Sequence, residues 1–451
     1  MNKNELSKDT LISYFVEGCK EKKKWRIGTE HEKFGFRKKT LEPIKYSDIE
    51  KILTSLSSRF GWTKIFEEKK IIGLKRGDSS ISLEPGGQIE LSGAPLKNLF
   101  ETCMEVNSHQ DELNAVCEDL DIDFMGMGVL PKWGRDDISL MPKKRYKIMS
   151  EYMPSVGSLG LDMMLRTCTI QANFDFSSEE DMKKKLMVSQ SLQPLVIALY
   201  ANSPFINGKL SKFLSYRSHI WTKTDVNRCG LLKMFNDKSF SFEQYVDYLL
   251  KIPMYFVIRN NRYINLAGNS FKNFVDGKIK NLKASFKDWE NHITTVFTEV
   301  RLKKIIEVRG ADGGPWSRVC ALPAFWAGIL YDEEILEEVS LIVKDWKFYE
   351  IKNFYKNVRK DGLKANAPNN ESLLKFTKKI IEFSEKGLKK RKLRKKGKNE
   401  TIFLEPLKLI LSSGKSPAET WKKLFLGEWN NNVDMLYRTN YFKILKKNEK
   451  V

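Results

Sequence analysis

Four segments of the chain alternate apolar and polar residues with a period of two, the signature of strands with one wet face. In RIGTEHEKFGF (26–36), Glu30 and Glu32 share a face and His31 lies behind them. In SISLEPGGQIELSG (80–93), Ser82 and Glu84 oppose Ile81 and Leu83. After the PGG turn, Gln88, Glu90 and Ser92 oppose Ile89 and Leu91. RTCTIQANFDF (166–176) sets Thr167, Thr169, Gln171, Asn173 and Asp175 against Cys168, Ile170, Ala172, Phe174 and Phe176. KKIIEVRGADGGPW (303–316) places Glu307 and Arg309 together, with Ile306 and Val308 on the reverse. Helical patterns occupy 98–120, 179–201, 242–251, 287–301, 322–340, 371–392 and 417–425. Shorter helices are predicted at 7–17 and 48–59, with Ser7 and Ser47 as N-caps. Ser47–Glu50 and Ser416–Glu419 have capping-box spacing. Strands and helices do not alternate regularly, which predicts an α+β fold with a mostly antiparallel sheet rather than a doubly wound one. The pattern divides the chain into a core over 1–345 and a lysine-rich helical region over 346–451 packed on it, with a single-domain reading as the alternative.

The polar faces carry chemistry only if they converge. A single wet face is ordinary for an antiparallel sheet. Glu30, Glu32, Glu84, Glu90 and Glu307, however, avoid basic neighbours on their own faces, Arg309 excepted, in a chain rich in lysine. Two carboxylates about 4 Å apart repel by about 4 kcal/mol at an effective dielectric near 20. Five gathered together require cations, and hard oxygen donors select magnesium or manganese. Magnesium bridges to phosphates, so such a site points to ATP chemistry. Other motifs are weak. EHEKF is not the HExxH zinc signature, and RGADGGPW lacks the lysine of a phosphate-binding loop. With His31 backing the carboxylates and three other histidines scattered, His31 reads as a packed, hydrogen-bonded residue rather than a catalytic one.

Composition narrows the class. The chain has 451 residues, 41% of them hydrophobic and 12% aromatic, enough for a large core and unlike a disordered chain. No apolar run is long enough to span a membrane, and the start MNKNELSKDTLISYF is a poor signal peptide, so a soluble intracellular protein is expected. The six cysteines form no CxxC pair. The formal charge of +21 and the run GLKKRKLRKK (387–396) fit a lysine-rich surface that keeps the protein soluble. The rival is a nucleic-acid-binding protein, but interleaved aromatics and a recognition helix are lacking.

The segments WRIGTEHEKFGF, SISLEPGGQIELSGAP, MPKKRYKIM, SLGLDMMLRTCTIQANFDF, YRSHIWTKTDVNRCG, YVDYLLKIPMYFV and DWENHITTVFTEVRLKKIIEVRGADGGPWSRVCALPAFW, with GEWNNNVD near the C-terminus, resemble glutamate–cysteine ligase. The likeness is to the plant and alphaproteobacterial type, among the glutamine-synthetase-like carboxylate–amine ligases, and runs collinearly from about residue 7 to 434. It implies a funnel-shaped site on a curved sheet, with ATP, L-glutamate and L-cysteine as substrates and γ-glutamylcysteine as product, the first step of glutathione synthesis. By the same likeness, Glu30, Glu32, Glu84, Glu90 and Glu307, with Gln171, would hold two or three magnesium ions (or manganese). Arg309, beside Glu307, would stabilise the transferring phosphoryl group, and both are expected to be catalytic. Arg145 and Arg217 would bind the glutamate carboxylate, and Trp221 and Tyr255 would shape the substrate pocket. No nucleic-acid or membrane partner is implied, and the chain is expected as a monomer or homodimer. It departs from the plant form in carrying Leu266 where a cysteine can stand, and in lacking a transit segment, from which a bacterial cytoplasm is expected. Cys103 and Cys320 match the other plant cysteine pair, a possible redox pair. Whether they bond is open from sequence, and packed thiols are the expectation.

Overall fold

The computed structural model describes residues 6–439. Nine strands form one sheet: β1 (Ile27–Arg37), β2 (Thr63–Glu67), β3 (Lys70–Arg76), β4 (Ser79–Leu83), β5 (Ile89–Ser92), β6 (Ile122–Met125), β7 (Thr169–Phe174), β8 (Val300–Leu302) and β9 (Ile306–Asp312). Their order is β8-β9-β7-β1-β5-β4-β3-β2, with β6 paired to the far end of β1, and every pairing is antiparallel. The long β1 is therefore the spine. Its first half lies between β5 and β7, and its second half pairs with β6.

Alternation then decides which side is apolar. Ile27, Ile170, Ala172, Phe174 and Val308 are buried in the main core, against the helices Glu179–Tyr200 and Trp316–Leu330. The helix Leu99–Cys117 packs on β1 and on Trp316–Leu330, and the last two helices are joined by a disulfide between Cys103 and Cys320, whose Cα atoms are 5.6 Å apart. The expectation of separate packed thiols is thus corrected: the helix contact brings the two cysteines within disulfide reach, which sequence spacing alone does not show. Helices beyond residue 345 contribute Ile351, Phe354, Phe376 and Ile380 to that same core. Segment 417–439 returns to the far end of β1, where the rings of Phe36 and Tyr437 meet edge to face at 5.0 Å. Residues 440–451 of the expected C-terminal region lie outside the described residues. Among the described residues, no helix is long and apolar enough to cross a membrane.

Helical periodicity located most helices, with instructive misses. The run 287–301 is helical only over Phe286–Ile293; it then turns into short strands at Phe297–Thr298 and Val300–Leu302, as its β-branched Ile293, Thr294, Thr295 and Val296 favour. The run 322–340 is two helices, Trp316–Leu330 and Glu333–Val343. The second starts at Asp332, whose carboxylate accepts from the Ile335 amide at 3.0 Å. Ser7 caps its helix, and the Ser416 amide donates to Glu419 as the capping-box spacing predicts. Ser47 does not cap. Asp48 takes the Lys45 amide at 3.0 Å and the helix begins at Tyr46.

Gly328 and Gly387 set the approach of Trp316–Leu330 to the helix Leu373–Lys390. A Cβ on Gly328 would overlap the Ser384 carbonyl, and one on Gly387 would overlap the Gly328 carbonyl. Backbone cannot yield as a side-chain tip can. Gly328→Ala should therefore destabilise the fold by about 1–3 kcal/mol or more, read from the urea midpoint. An unchanged midpoint would contradict this close packing.

Candidate active site

The polar face of the sheet forms one wall of a cavity of about 380 Å³. Register explains how the acidic residues gather there. Glu32 on β1 lies directly opposite Glu90 on β5, and Ser82 on β4 lies opposite Glu90 on the other side. Glu30 pairs with Ser92 in one direction and with Gln171 in the other. Glu84 stands just past β4, linked through Ser82, whose hydroxyl reaches Glu84 at 2.8 Å and Glu90 at 3.1 Å. Glu30 accepts from Asn173 at 2.7 Å, and Glu32 from the Thr169 amide at 2.9 Å. Four of the five expected carboxylates, Glu30, Glu32, Glu84 and Glu90, thus line one cavity.

Like charges directly opposed across a strand pair are unfavourable, and burial, with the neighbouring Glu84, pushes both carboxylates toward the protonated form. Burial, then the neighbouring Glu84, raises Glu32 to about 8, although Arg217 pulls the other way. Burial, followed by Glu84, Glu30 and Glu32, pushes Glu90 well above the ordinary carboxylate range. A divalent cation would relieve both. Among the described residues, no three Asp, Glu, His or Cys side chains are arranged to hold a metal alone. The oxygen-only donors, two opposed carboxylates with more nearby, suit a cation that completes its shell with water and phosphate oxygens.

Glu307 behaves differently. It is fully buried, outside the cavity lining, and ion-paired to Arg301 at 2.7 Å, to Lys303 at 2.6 Å, and to Arg309. Burial alone would raise its pKa, but the three cations outweigh that and hold it well below the usual range. The expectation of Glu307 as a cavity ligand is corrected: Arg301 sits opposite it in the β8–β9 register, a partner on a strand that helical periodicity had concealed. Arg309 also donates to Gln171, so the Gln171 carbonyl is engaged by a guanidinium in this structure.

The same cavity is also lined by cations: Arg145, Lys143 and Arg217 from outside the sheet, and Arg301, Lys303 and Arg309 from its β8–β9 hairpin. Arg217, on the helix Tyr216–Trp221, is held by the Arg309 carbonyl at 2.9 Å and the Gly310 carbonyl at 3.3 Å. Arg145 projects from the first turn of the helix Lys144–Val156. Three of these cavity-lining side chains keep a buried donor without a partner among the described residues: Arg145 Nε, Arg217 Nε and Trp221 Nε1. Unpaired buried donors are costly, so an anionic ligand is the natural complement. Tyr255 is not in the cavity. It is buried behind it, with its hydroxyl on the Met153 sulfur at 3.8 Å and the Arg228 guanidinium 4.0 Å from its ring centre, so it supports the helix that carries Arg145. His31 is buried behind the carboxylates, edge-on to His109 at 5.6 Å. Burial, then Lys33, lowers its pKa well below normal, and its Nε2 has no partner among the described residues, so it is packed but only partly satisfied. Asp175 leaves the polar face to bind Lys20 and the Arg26 amide, both at 2.6 Å.

Sequence reasoning missed Lys143, whose pKa burial lowers and which lies 3.3 Å from the Tyr146 hydroxyl. It stands two residues before Arg145 in MPKKRY, but a loop-to-helix junction has no periodicity to aim a side chain.

The large antiparallel sheet with a ligand cavity on its polar face has the glutamine-synthetase-like ligase fold. A crystal structure of glutamate–cysteine ligase from Francisella tularensis, in complex with AMP, superposes with a TM-score of 0.59 over 95% of this chain and 89% of that one, at 13% identity. The profile of glutamate–cysteine ligase family 2 matches residues 26–439, and the chain belongs to that family. It is 52% identical to the chloroplastic glutamate–cysteine ligase of Brassica juncea over 437 residues, 96% of this chain and 84% of the relative. The Arabidopsis thaliana counterpart is 51% identical over 436 residues, covering 96% and 82%. These relatives are named chloroplastic, which overturns the expectation of a bacterial cytoplasm.

The sign of the Glu32 shift makes a stability prediction. Folded Glu32 keeps its proton to about 8, whereas the unfolded residue loses it near the ordinary glutamate value of 4.5. The folded state therefore loses stability as pH rises through that window. Glu32→Gln should leave ligand-free stability nearly unchanged at about pH 5 and raise it by about 1–3 kcal/mol at about pH 8.5. Parallel pH profiles of urea stability for the two proteins would refute the assignment.

Proposed function

We propose that this chain joins the γ-carboxylate of L-glutamate to the amine of L-cysteine at the expense of ATP, forming γ-glutamylcysteine, ADP and phosphate. The observation that carries this reading is a single cavity lined both by four carboxylates and by Arg145, Arg217 and Trp221, whose buried donors are unpaired. A free carboxylate is a poor electrophile, so its oxygen attacks the terminal phosphorus of ATP and ADP leaves. The cysteine amine then attacks the acyl carbon of γ-glutamyl phosphate, and phosphate departs as the C–N bond forms. Arg309, steadied by Glu307 and Gln171, offers its charge to the transferring phosphoryl group. Arg145 and Arg217 receive the glutamate carboxylates, where a guanidinium fork suits the acceptor, and Trp221 adds a neutral donor. Glu30, Glu32, Glu84 and Glu90 would hold magnesium or manganese. Such an ion, when bound, neutralises the phosphate oxygens. Glu307 then acts through Arg309, by fixing where that guanidinium points.

ADP formation should require glutamate, cysteine and a divalent ion together, with the dipeptide detected by mass. Strong turnover with another amine and little with cysteine would reassign the chain to a sibling ligase. Glu30→Gln should lower kcat at least about a hundredfold without lowering the melting temperature. Full activity in that variant would remove the carboxylate wall from the mechanism. Glu307→Gln is a poorer probe. It leaves three cations facing a neutral group, and should cost about 3–5 kcal/mol of stability as well as activity.

A further inference from the structure

The basic run 387–396 has no part in the active-site cavity, yet its Arg391 and Leu393 line a second cleft. This cleft, about 460 Å³, is lined by Lys22, Lys23, Arg26, Lys97 and Arg391 around Trp25, Tyr331 and Leu393. It shares no lining residue with the active-site cavity, and no carboxylate lines it. Its cations come from three parts of the chain. Lys22 and Lys23 lie on the 3-10 turn Lys22–Lys24. Arg26 and Lys97 flank the paired residues Ile27 and Leu96, whose amides and carbonyls exchange bonds of 2.8 and 2.9 Å. Arg391 ends the helix Leu373–Lys390.

The site is built rather than merely charged. The Trp25 and Tyr331 rings meet at 4.8 Å, and the Arg391 guanidinium lies 5.6 Å from the Tyr331 ring centre. Arg391 is tethered at 2.8 Å to the buried Glu400, and the Arg26 guanidinium is anchored at 2.8 Å on the Trp25 carbonyl. Lys22 pairs with Glu333, and Lys23 with Glu21 at 2.8 Å. Arg26 and Lys97 have no acidic partner among the described residues. A helix end needs one or two cations to offset its dipole, as Lys390 does while pairing with Glu334. It does not need Arg26 and Lys97 brought in from distant segments. Three of the five cations are ion-paired at the rim, but Arg26 and Lys97 bring two unmatched charges into a concave space that no carboxylate lines, which favours a multivalent anion, with arginine matched to phosphate oxygens.

We propose that this cleft is a second ligand site that binds a small compound carrying two or more phosphate groups. Arg26 and Lys97 supply the free charge, and Arg391 a fixed one. Along β1, Arg26 stands four residues before Glu30, about 13 Å at strand rise. The occupant therefore sits beside the active site without entering it.

Titration calorimetry of the whole protein with sodium tripolyphosphate, in the presence of saturating AMP, whose single phosphate falls outside the proposed class, to fill the active site, tests this. Wild type should show one further saturable site that weakens as salt rises. The double variant R26Q/K97Q should bind at least about tenfold more weakly, with kcat and the KM for ATP unchanged. K97Q alone, at an exposed residue, should weaken binding several-fold, so a folding defect in the double variant cannot hide the result. No heat in wild type beyond displacement of AMP, or an affinity equal to wild type in both variants, would overturn the site. Vesicles of anionic phospholipid form the other arm. If they bind in an Arg26- and Lys97-dependent way while tripolyphosphate does not, the occupant is a lipid headgroup and the small-molecule assignment fails.

Discussion

Glu32 faces Glu90 across two hydrogen-bonded strands, and almost everything else about the site follows from that opposition. The sheet cannot separate the two carboxylates, because the register that buries Ile89, Leu91 and His31 on the rear face forces Glu30, Glu32 and Glu90 onto the front. Moving either strand by one residue would exchange the faces and put charge into the core. The protein therefore holds mutual repulsion in place with apolar packing, and the site is strained electrostatically until a cation or a proton arrives. Function taking precedence over local stability is common at active sites.

The contrast with Glu307 separates two uses of a buried carboxylate. Glu307 has its counter-charges built in: Arg301, Lys303 and Arg309 surround it and keep it ionised. Glu32 and Glu90 have too little fixed compensation, and burial drives them toward the protonated form. The first arrangement anchors an arginine; the second leaves capacity for an exchangeable cation. Elsewhere in the lining the same logic runs in reverse, where Arg145, Arg217 and Trp221 hold unpaired donors for an exchangeable anion. One cavity thus has unmet demand of both signs, which suits a reaction that brings phosphates and carboxylates together.

The support for this front face lies behind it. Helices Leu99–Cys117 and Trp316–Leu330 press on β1 and β7 and are tied to each other by Cys103–Cys320. Gly328 and Gly387 then allow Leu373–Lys390 to sit close against the second of them. That helix delivers Arg391 to the basic cleft at the start of β1, so the rear layer both braces the spine strand and assembles a surface of its own.

By itself the sequence determined which faces of the strands are polar, because a period of two leaves no freedom once one side is apolar. Glu30, Glu32, Glu84 and Glu90 were legible for that reason, and so was the antiparallel α+β class. Alternation also set Arg309 beside Glu307, while family likeness added Arg145, Arg217 and Trp221, whose positions in the first turn of a helix or on a short helix carry no periodic signal. Tertiary structure alone decided how those groups meet. The β8–β9 register turned Glu307 inward to three cations, the packing of Met153 and Arg228 drew Tyr255 out of the cavity, and a loop-to-helix junction aimed Lys143 into it. The physical reason is one of range. Alternation is enforced between neighbours along the chain, whereas charge pairing depends on how strands fold back and how separate segments are set against one another, which only the folded chain decides.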